Sequence, residues 1–406
     1  MRIAFVTPKM VIGGAESYII VKSRYLIKRG YTVIVISTGG GNVANLPDGV
    51  KHFTLNNIDK APYELSGHKR KELIRNLEEI LLVHRIDLVE AHNTYPIYYG
   101  ALVSCKMGIA CLYNLLNELS HRKQLITNIL VKEFSQAGCY FTLTEQMNRF
   151  VVSEVGHELK PVVLPIPVEG IEVSNGDCGD KNYILTVCRF ASDKLYVLSL
   201  IEGFAEAVMS GGMPQGIVLK IVGDGELRED IERRVTEANV KIGHKAVDLL
   251  GFKCGDELEQ LFCACTLYVG MGTTMLKAAQ LGKAVMCVGL EPPLSYYAWG
   301  FWGENPERDV HNLAEQTNDI ANGIVFAKAL QVVTDKDRLK ILGDKAKALF
   351  NSYYELNHIM WQWEKHYERI SKERYILPAR IKRRLEFRAF VLHPVWSIFQ
   401  FIKRLR

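Results

Sequence analysis

The sequence has no apolar run approaching the ~20 residues of a membrane-spanning helix. Its nine cysteines follow no regular spacing, and the Cys263/Cys265 pair, two apart, is not a zinc-ligand spacing. All nine are therefore expected to be reduced thiols of a cytoplasmic protein. The apolar run Arg2 to Thr7 meets a polar loop at once, which reads as a first strand rather than a secretory segment. Charge of one sign is also lacking: 50 Lys and Arg against 45 Asp and Glu leave a net +5. That excess is local. Lys372 to Arg406 holds ten cations and two acids, a net +8, so the remainder is about −3. A nucleic-acid-binding domain would carry its cations across a folded face, so no nucleic-acid partner is expected.

A chain of 406 residues is too long for one ordinary core and fits two domains. Short apolar runs alternate with helical periodicity. In the first half the runs are Arg2–Thr7, Thr32–Ser37, Asp87–Ala91, Ala110–Leu115, Tyr140–Leu143 and Val162–Leu164. Pro161, Pro165 and Pro167, then the polar, Gly-rich stretch 169–181, punctuate the chain. The alternation then restarts with Tyr183–Val187, Val218–Val222, Asp248–Leu250, Leu267–Val269 and Val285–Val288. Two doubly wound, Rossmann-like α/β domains in series are predicted, with ligands at the carboxyl ends of their strands. The expected boundaries are 1–168, 169–354, a helix over 355–372 that crosses back toward the first domain, and a basic amphipathic tail over 373–406. In that tail cationic clusters bracket an apolar stretch containing Trp396 and Phe399. This suits an anionic membrane surface contacted through residues 380–406, or a terminal helix with a solvated basic face.

Four segments carry chemistry. Gly13-Gly14-Ala15-Glu16 follows the first strand and opens a helix, where glycines and free amides accommodate an anion. Arg189 and Lys194 follow the first strand of the second domain and could hold a diphosphate, or simply lie on a solvated loop. Gly223-Asp224-Gly225-Glu226-Leu227 is a tight turn before a helix. Gly270-Met271-Gly272-Thr273-Thr274 runs from strand to helix, and its amides and hydroxyls are expected to face a ligand.

In this order the segments resemble the family-4 glycosyltransferases of GT-B fold over roughly the first 370 residues. The family's GGAE loop resembles Gly13–Glu16, its GRL…K segment Cys188-Arg189-Phe190 with Lys194, and its GDGPL turn Gly223–Leu227. Its FLGF strand resembles Asp248–Phe252, and its PNPVD hinge Pro165–Glu169. The resemblance implies two Rossmann-like domains facing across a cleft and transfer of a sugar from a nucleotide-diphosphate donor. The acceptor would be a glycan or lipid-linked, as in surface polysaccharide or glycoconjugate synthesis. It implies Arg189 and Lys194 as catalytic cations, with Gly13, Gly14, Gly223, Phe252, Gly270, Gly272, Thr273, Thr274 and Lys277 around the donor. It implies retention of configuration, no cofactor beyond the substrate, and no obligatory Asp-x-Asp-bound metal.

Two departures matter. The family's E-x7-E glutamates are replaced by Val269 and Lys277, and its first-domain histidine is missing from Tyr113–Glu118. His92 and His121 lie near enough to substitute, and His92 is taken as the catalytic candidate, although a lone histidine is more often structural. Lys277 is expected in the first turns of its helix, opposing the dipole unless it snorkels or meets an anion. The losses leave room for a scaffold that partners an active glycosyltransferase. A sugar-nucleotide epimerase is a third reading. A peripheral position at the inner face of the plasma membrane is expected from the tail.

Overall fold

A computed structural model describes the chain except residues 12, 117–126, 156–158, 171–180, 290–291, 305–319, 374–375 and 406. His121 and most of the expected 169–181 linker thus lie outside the described residues. The chain divides into two compact units, Met1–Pro167 with Asn357–Arg406, and Val168–Leu356.

Unit 1 begins with β1 (Arg2–Val6), α1 (Gly14–Lys28), β2 (Thr32–Ser37), β3 (Lys51–Thr54), α2 (Gly67–Val83), β4 (Leu88–His92) and α3 (Thr94–Met107). It continues through β5 (Ala110–Leu115), α4 (Thr127–Gln136), β6 (Tyr140–Thr142), α5 (Glu145–Val155) and β7 (Val162–Val163). The sheet order is β3-β2-β1-β4-β5-β6-β7, with every pairing parallel. β4 and β5 are buried at every position, as strands covered on both faces must be, their polar residues Glu90, His92 and Asn114 included.

Unit 2 repeats the plan. Its elements are β8 (Tyr183–Val187), α6 (Tyr196–Met209), β9 (Val218–Val222), α7 (Arg228–Ile242), β10 (Val247–Gly251), α8 (Gly255–Ala264) and β11 (Leu267–Gly270). Then come α9 (Thr273–Gln280), β12 (Ala284–Val288), β13 (Tyr297–Phe301), β14 (Ile324–Val325), α10 (Phe326–Ala329) and α11 (Lys336–Tyr353). The order β10-β9-β8-β11-β12-β13-β14 is parallel up to β12, and β13 and β14 add antiparallel strands. Its core joins Phe204 of α6, Leu219 and Ile221 of β9, Val269 of β11 and Met286 of β12.

Two helices return to unit 1. α12 (Leu356–Lys372) lays Ile359, Trp363, Tyr367 and Ile370, all fully buried, along one stripe. Glu364 on the same helix meets Arg29 at 3.3 Å. α13 (Ala379–Leu405) makes the basic end of the sequence one helix running through Pro394. That segment packs within unit 1 through Leu385 and Ala389, both fully buried.

The cysteines depart from expectation at one position. Cys105, Cys111, Cys139, Cys188, Cys254, Cys265 and Cys287 carry no disulfide, but Cys263 is disulfide-bonded. Cys178 lies outside the described residues.

Candidate functional site

In unit 2 the strand order reverses between β8 and β11, which are neighbours in the sheet. Such a reversal opens a crevice at the carboxyl ends of the two strands, where open α/β sheets bind ligands. The segment leaving β8 carries Arg189 and Lys194, and the turn leaving β11 carries Met271 to Thr274. They meet. The Lys194 Nζ lies 3.0 Å from the Met271 Sδ and 3.6 Å from the Asp193 carboxylate. The Arg189 guanidinium donates to both oxygens of Asp193 at 3.2 Å. One carboxylate therefore holds two cations beside the turn. Burial draws the Lys194 ammonium below its ordinary pKa, and Asp193 opposes that shift. Arg189 remains largely exposed and free to reorient toward an anion.

α9 starts at this point with Gly272 as N-cap, at φ 67°, and no side chain caps it. Its first amides and the positive end of its dipole are left for an anion. Thr273 is half-buried beside them. Thr274 differs from expectation: its hydroxyl is held inward, accepting from the Tyr268 hydroxyl at 2.6 Å and facing the Met271 carbonyl at 3.1 Å. It locks the turn, and only its amide is available to a ligand. Gly270 makes room for that lock, since a Cβ there would sit 2.6 Å from the Tyr268 hydroxyl. Lys277 also differs from expectation. α9 has only eight residues, so its fifth, Lys277, already belongs to the last turn, where a cation suits the dipole. Val269 is fully buried in β11.

The other donor-side glycine acts through the backbone. Gly223, at φ 153°, lets β9 turn under the β8 loop: a Cβ would lie 1.9 Å from the Cys188 carbonyl oxygen. Gly225 likewise passes the Phe190 carbonyl, at 2.4 Å from an added Cβ. Phe190 N donates to Asp224 O at 2.9 Å, and Leu227 N to Phe190 O at 3.1 Å. The turn thus sets the position of Arg189 rather than presenting a ligand atom of its own. Phe252, just past β10, is exposed.

Gly13 and Gly14 lie at the start of α1 in unit 1. Gly13 is the N-cap, again without a side-chain cap. His92 requires a correction. It is fully buried, and its Nε2 lies 2.8 Å from Glu90 Oε1. Glu90 also accepts from Lys22 at 2.8 and 2.9 Å, from Asn114 at 3.1 Å and from the Tyr367 hydroxyl at 2.5 Å. The Lys22 ammonium sits 3.1 Å over the Trp363 ring. Burial pulls Lys22 down to about 7 while Glu90 holds it up. Burial pushes the Glu90 carboxyl up, but Lys22 and His92 outweigh it and hold it well below the usual carboxylate range. Burial also keeps the His92 imidazole below its ordinary pKa. A sealed imidazole within a buried ion network cannot approach a substrate, so the geometry makes it a core histidine.

Asp193, which the loop after β8 folds back onto Arg189, and Tyr268, hidden in an apolar strand, are site residues that the motifs did not single out. One Asp-x-Asp triplet is present, at Asp335-Lys336-Asp337. Asp335 caps α11 by accepting from Arg338 N at 2.8 Å. No cluster of metal-ligating side chains occurs among the described residues.

Residues 12–168 match the model of Glycosyltransferase Family 4. No curated protein matches the chain in sequence. Solved structures do match in fold. Anabaena HepE in complex with UDP is 18% identical, with a TM-score of 0.65, covering 91% of this chain and 100% of that one. A glycosyltransferase from Rickettsia africae is 14% identical, with a TM-score of 0.67, covering 91% and 99%. WaaG, a glycosyltransferase involved in lipopolysaccharide biosynthesis, is 15% identical, with a TM-score of 0.58, covering 89% and 98%. With two Rossmann-like units and these neighbours, the chain has the GT-B fold, and residues 12–168 carry the match to Glycosyltransferase Family 4.

Proposed function

We propose that the chain is a family-4 glycosyltransferase that binds a nucleotide-diphosphate sugar on unit 2. It passes the sugar to a glycan or lipid-linked acceptor in surface polysaccharide or glycoconjugate synthesis. The carrying observation is the convergence of Arg189, Lys194 and the uncapped start of α9 at the β8/β11 reversal. As the glycosyl bond breaks, negative charge grows on the departing diphosphate. Two cations and a row of fixed amides stabilise that charge without reorganising. Asp193 holds the cations in place until the diphosphate takes them over. This chemistry needs no metal. The sugar retains its configuration, as the resemblance implies. The UDP and UDP-glucose complexes of HepE make uridine donors the first to test.

The test is a thermal-shift screen with UDP, GDP and their sugars, followed by a transfer assay. A ligand at 100 times its Kd adds about 2.7 kcal/mol, or a rise of about 5–10 °C for a unit of this size. Arg189→Ala removes one charge-assisted contact, so Kd should rise about 10–100-fold. The melting point without ligand should barely move, because the side chain is exposed. If no nucleotide or sugar nucleotide shifts the protein, the reading is wrong. A second reading is a partner scaffold. It is favoured by the buried Val269, which offers no carboxylate beside the turn, and by the sealed His92. Donor binding with neither hydrolysis nor transfer would select it.

A further inference from the structure

α13 packs on unit 1 by one face only. Leu385 and Ala389 are fully buried, the His393 Nδ1 donates to the Tyr63 carbonyl at 2.7 Å, and the Trp396 and Tyr63 rings meet edge-on at 5.8 Å. The opposite face is apolar and open. Phe387, Phe390, Val391, Val395, Ile398 and Phe399 are between 45% and 70% exposed. Phe387, Val391, Val395 and Ile398 follow one another at helical spacing and form a single stripe. Singly exposed apolar residues are ordinary, but a contiguous stripe flanked by the exposed Phe390 and Phe399 marks a surface that something covers.

The charges say what covers it. Arg380, Lys382, Arg383 and Arg384 are all exposed on the first turns of the same helix, and Glu386 is its one acid. The sequence beyond the stripe continues with Lys403, Arg404 and Arg406. A second copy of this face would bring like charges together, whichever way the helices ran. A nucleic acid would meet aliphatic side chains where it needs donors. No helix among the described residues is long and apolar enough to cross a membrane. We propose that the outward face of α13 docks flat on an anionic lipid surface, with its phenylalanines in the acyl boundary and its arginines on the headgroups. The Tyr63 contacts hold the helix by its other side, so the stripe is presented ready-made. This goes beyond the transfer reaction and does not depend on it, because lipid docking is read with no donor or acceptor present.

The test is flotation of the full chain with vesicles of phosphatidylglycerol and phosphatidylcholine, against phosphatidylcholine alone. The wild type should partition at least about tenfold more strongly to the anionic vesicles, and less so as salt is raised. Phe387→Gln/Phe390→Gln/Val395→Gln should lose at least about tenfold of that partition, with an unchanged melting curve because the three side chains face solvent. Arg380→Gln/Arg383→Gln/Arg384→Gln should lose both the anionic preference and the salt dependence. A second reading needs no variant: amide exchange across 387–399 should slow with anionic vesicles and not with neutral ones. Equal flotation of the apolar variant, or no protection across 387–399, overturns the proposal. So does a wild-type dimer that this variant converts to monomer with no vesicle binding, which would make the face a self-interface.

Discussion

Lys22→Met tests whether the buried network of unit 1 is held by charge. Lys22 and Glu90 are both sealed from solvent at 2.8 Å. At an effective dielectric near 20 their attraction is about 6 kcal/mol, and removing each ion from water costs several kcal/mol in the other direction. The pair is close to balanced, so its net contribution is small, while the loss of one partner is not. Methionine keeps the volume and leaves Glu90 charged, with only His92, Asn114 and Tyr367 to satisfy it. The expected loss is about 3–5 kcal/mol, which lowers the melting point of a unit this size by roughly 6–20 °C. In Lys22→Met/Glu90→Gln no charge remains buried, and most of the loss should return. Denaturant unfolding, with amide exchange on β4 to assign the transition to unit 1, measures each variant and hence the coupling. A single variant that loses less than about 1 kcal/mol, or a double variant that loses the full sum of the singles, refutes the reasoning.

Acid should weaken unit 1 in two stages. His92 and Glu90 both sit below their ordinary pKa values in the fold, so the unfolded chain takes up protons that the folded one refuses. The share of stability carried by His92 and Glu90 is full above about pH 6.5, falls first through His92, then falls again below about pH 4.5 through Glu90. Lys22, drawn down toward about 7, acts in the same sense at alkaline pH. Urea midpoints at pH 8, 6 and 4 should fall in that order. Gly223→Ala would drive a Cβ into the Cys188 carbonyl oxygen, so it should cost more than about 2 kcal/mol and abolish the nucleotide-induced thermal shift. Gly13→Ala meets only the end of the Glu16 side chain and should be tolerated within about 1 kcal/mol. Lys277→Glu puts an anion in the last turn of α9 and should lower the melting point without ligand; calorimetry with and without UDP separates this from any effect on binding.

The doubly wound sheets were legible because strands such as β1, β2 and β12 are short, mainly apolar runs between helical periods. β3 was not, because Lys51-His52-Phe53-Thr54 is a half-exposed edge strand with no such run. β13 and β14 were hidden for a related reason: they extend the sheet antiparallel, beyond the last strand-helix alternation. In the candidate site the cations and the Gly-Thr-Thr turn could be read from their positions after strands. Side-chain direction could not, and Thr274 turns inward to Tyr268. The role of His92 had a signal that went unused. Glu90 and His92 lie two apart on a strand, and Tyr18 and Lys22 four apart on a helix, so each pair shares a face. A carboxylate, an imidazole and an ammonium on facing surfaces of one core announce one another.

The division of the chain sets an order of manufacture. Unit 2 is inserted into unit 1: Val168 and Glu355, near its two ends, form a parallel bridge with each other. A ribosome must therefore release the whole of Val168–Leu356 before α12 exists, a delay of roughly 10–40 s at ordinary elongation rates. During that interval the first sheet is complete in sequence, but Lys22 lacks Trp363 above it and Glu90 lacks the Tyr367 hydroxyl. The nascent protein carries an open, charged seam in its first half until α12 arrives, and a fragment ending at Pro167 would carry that seam permanently.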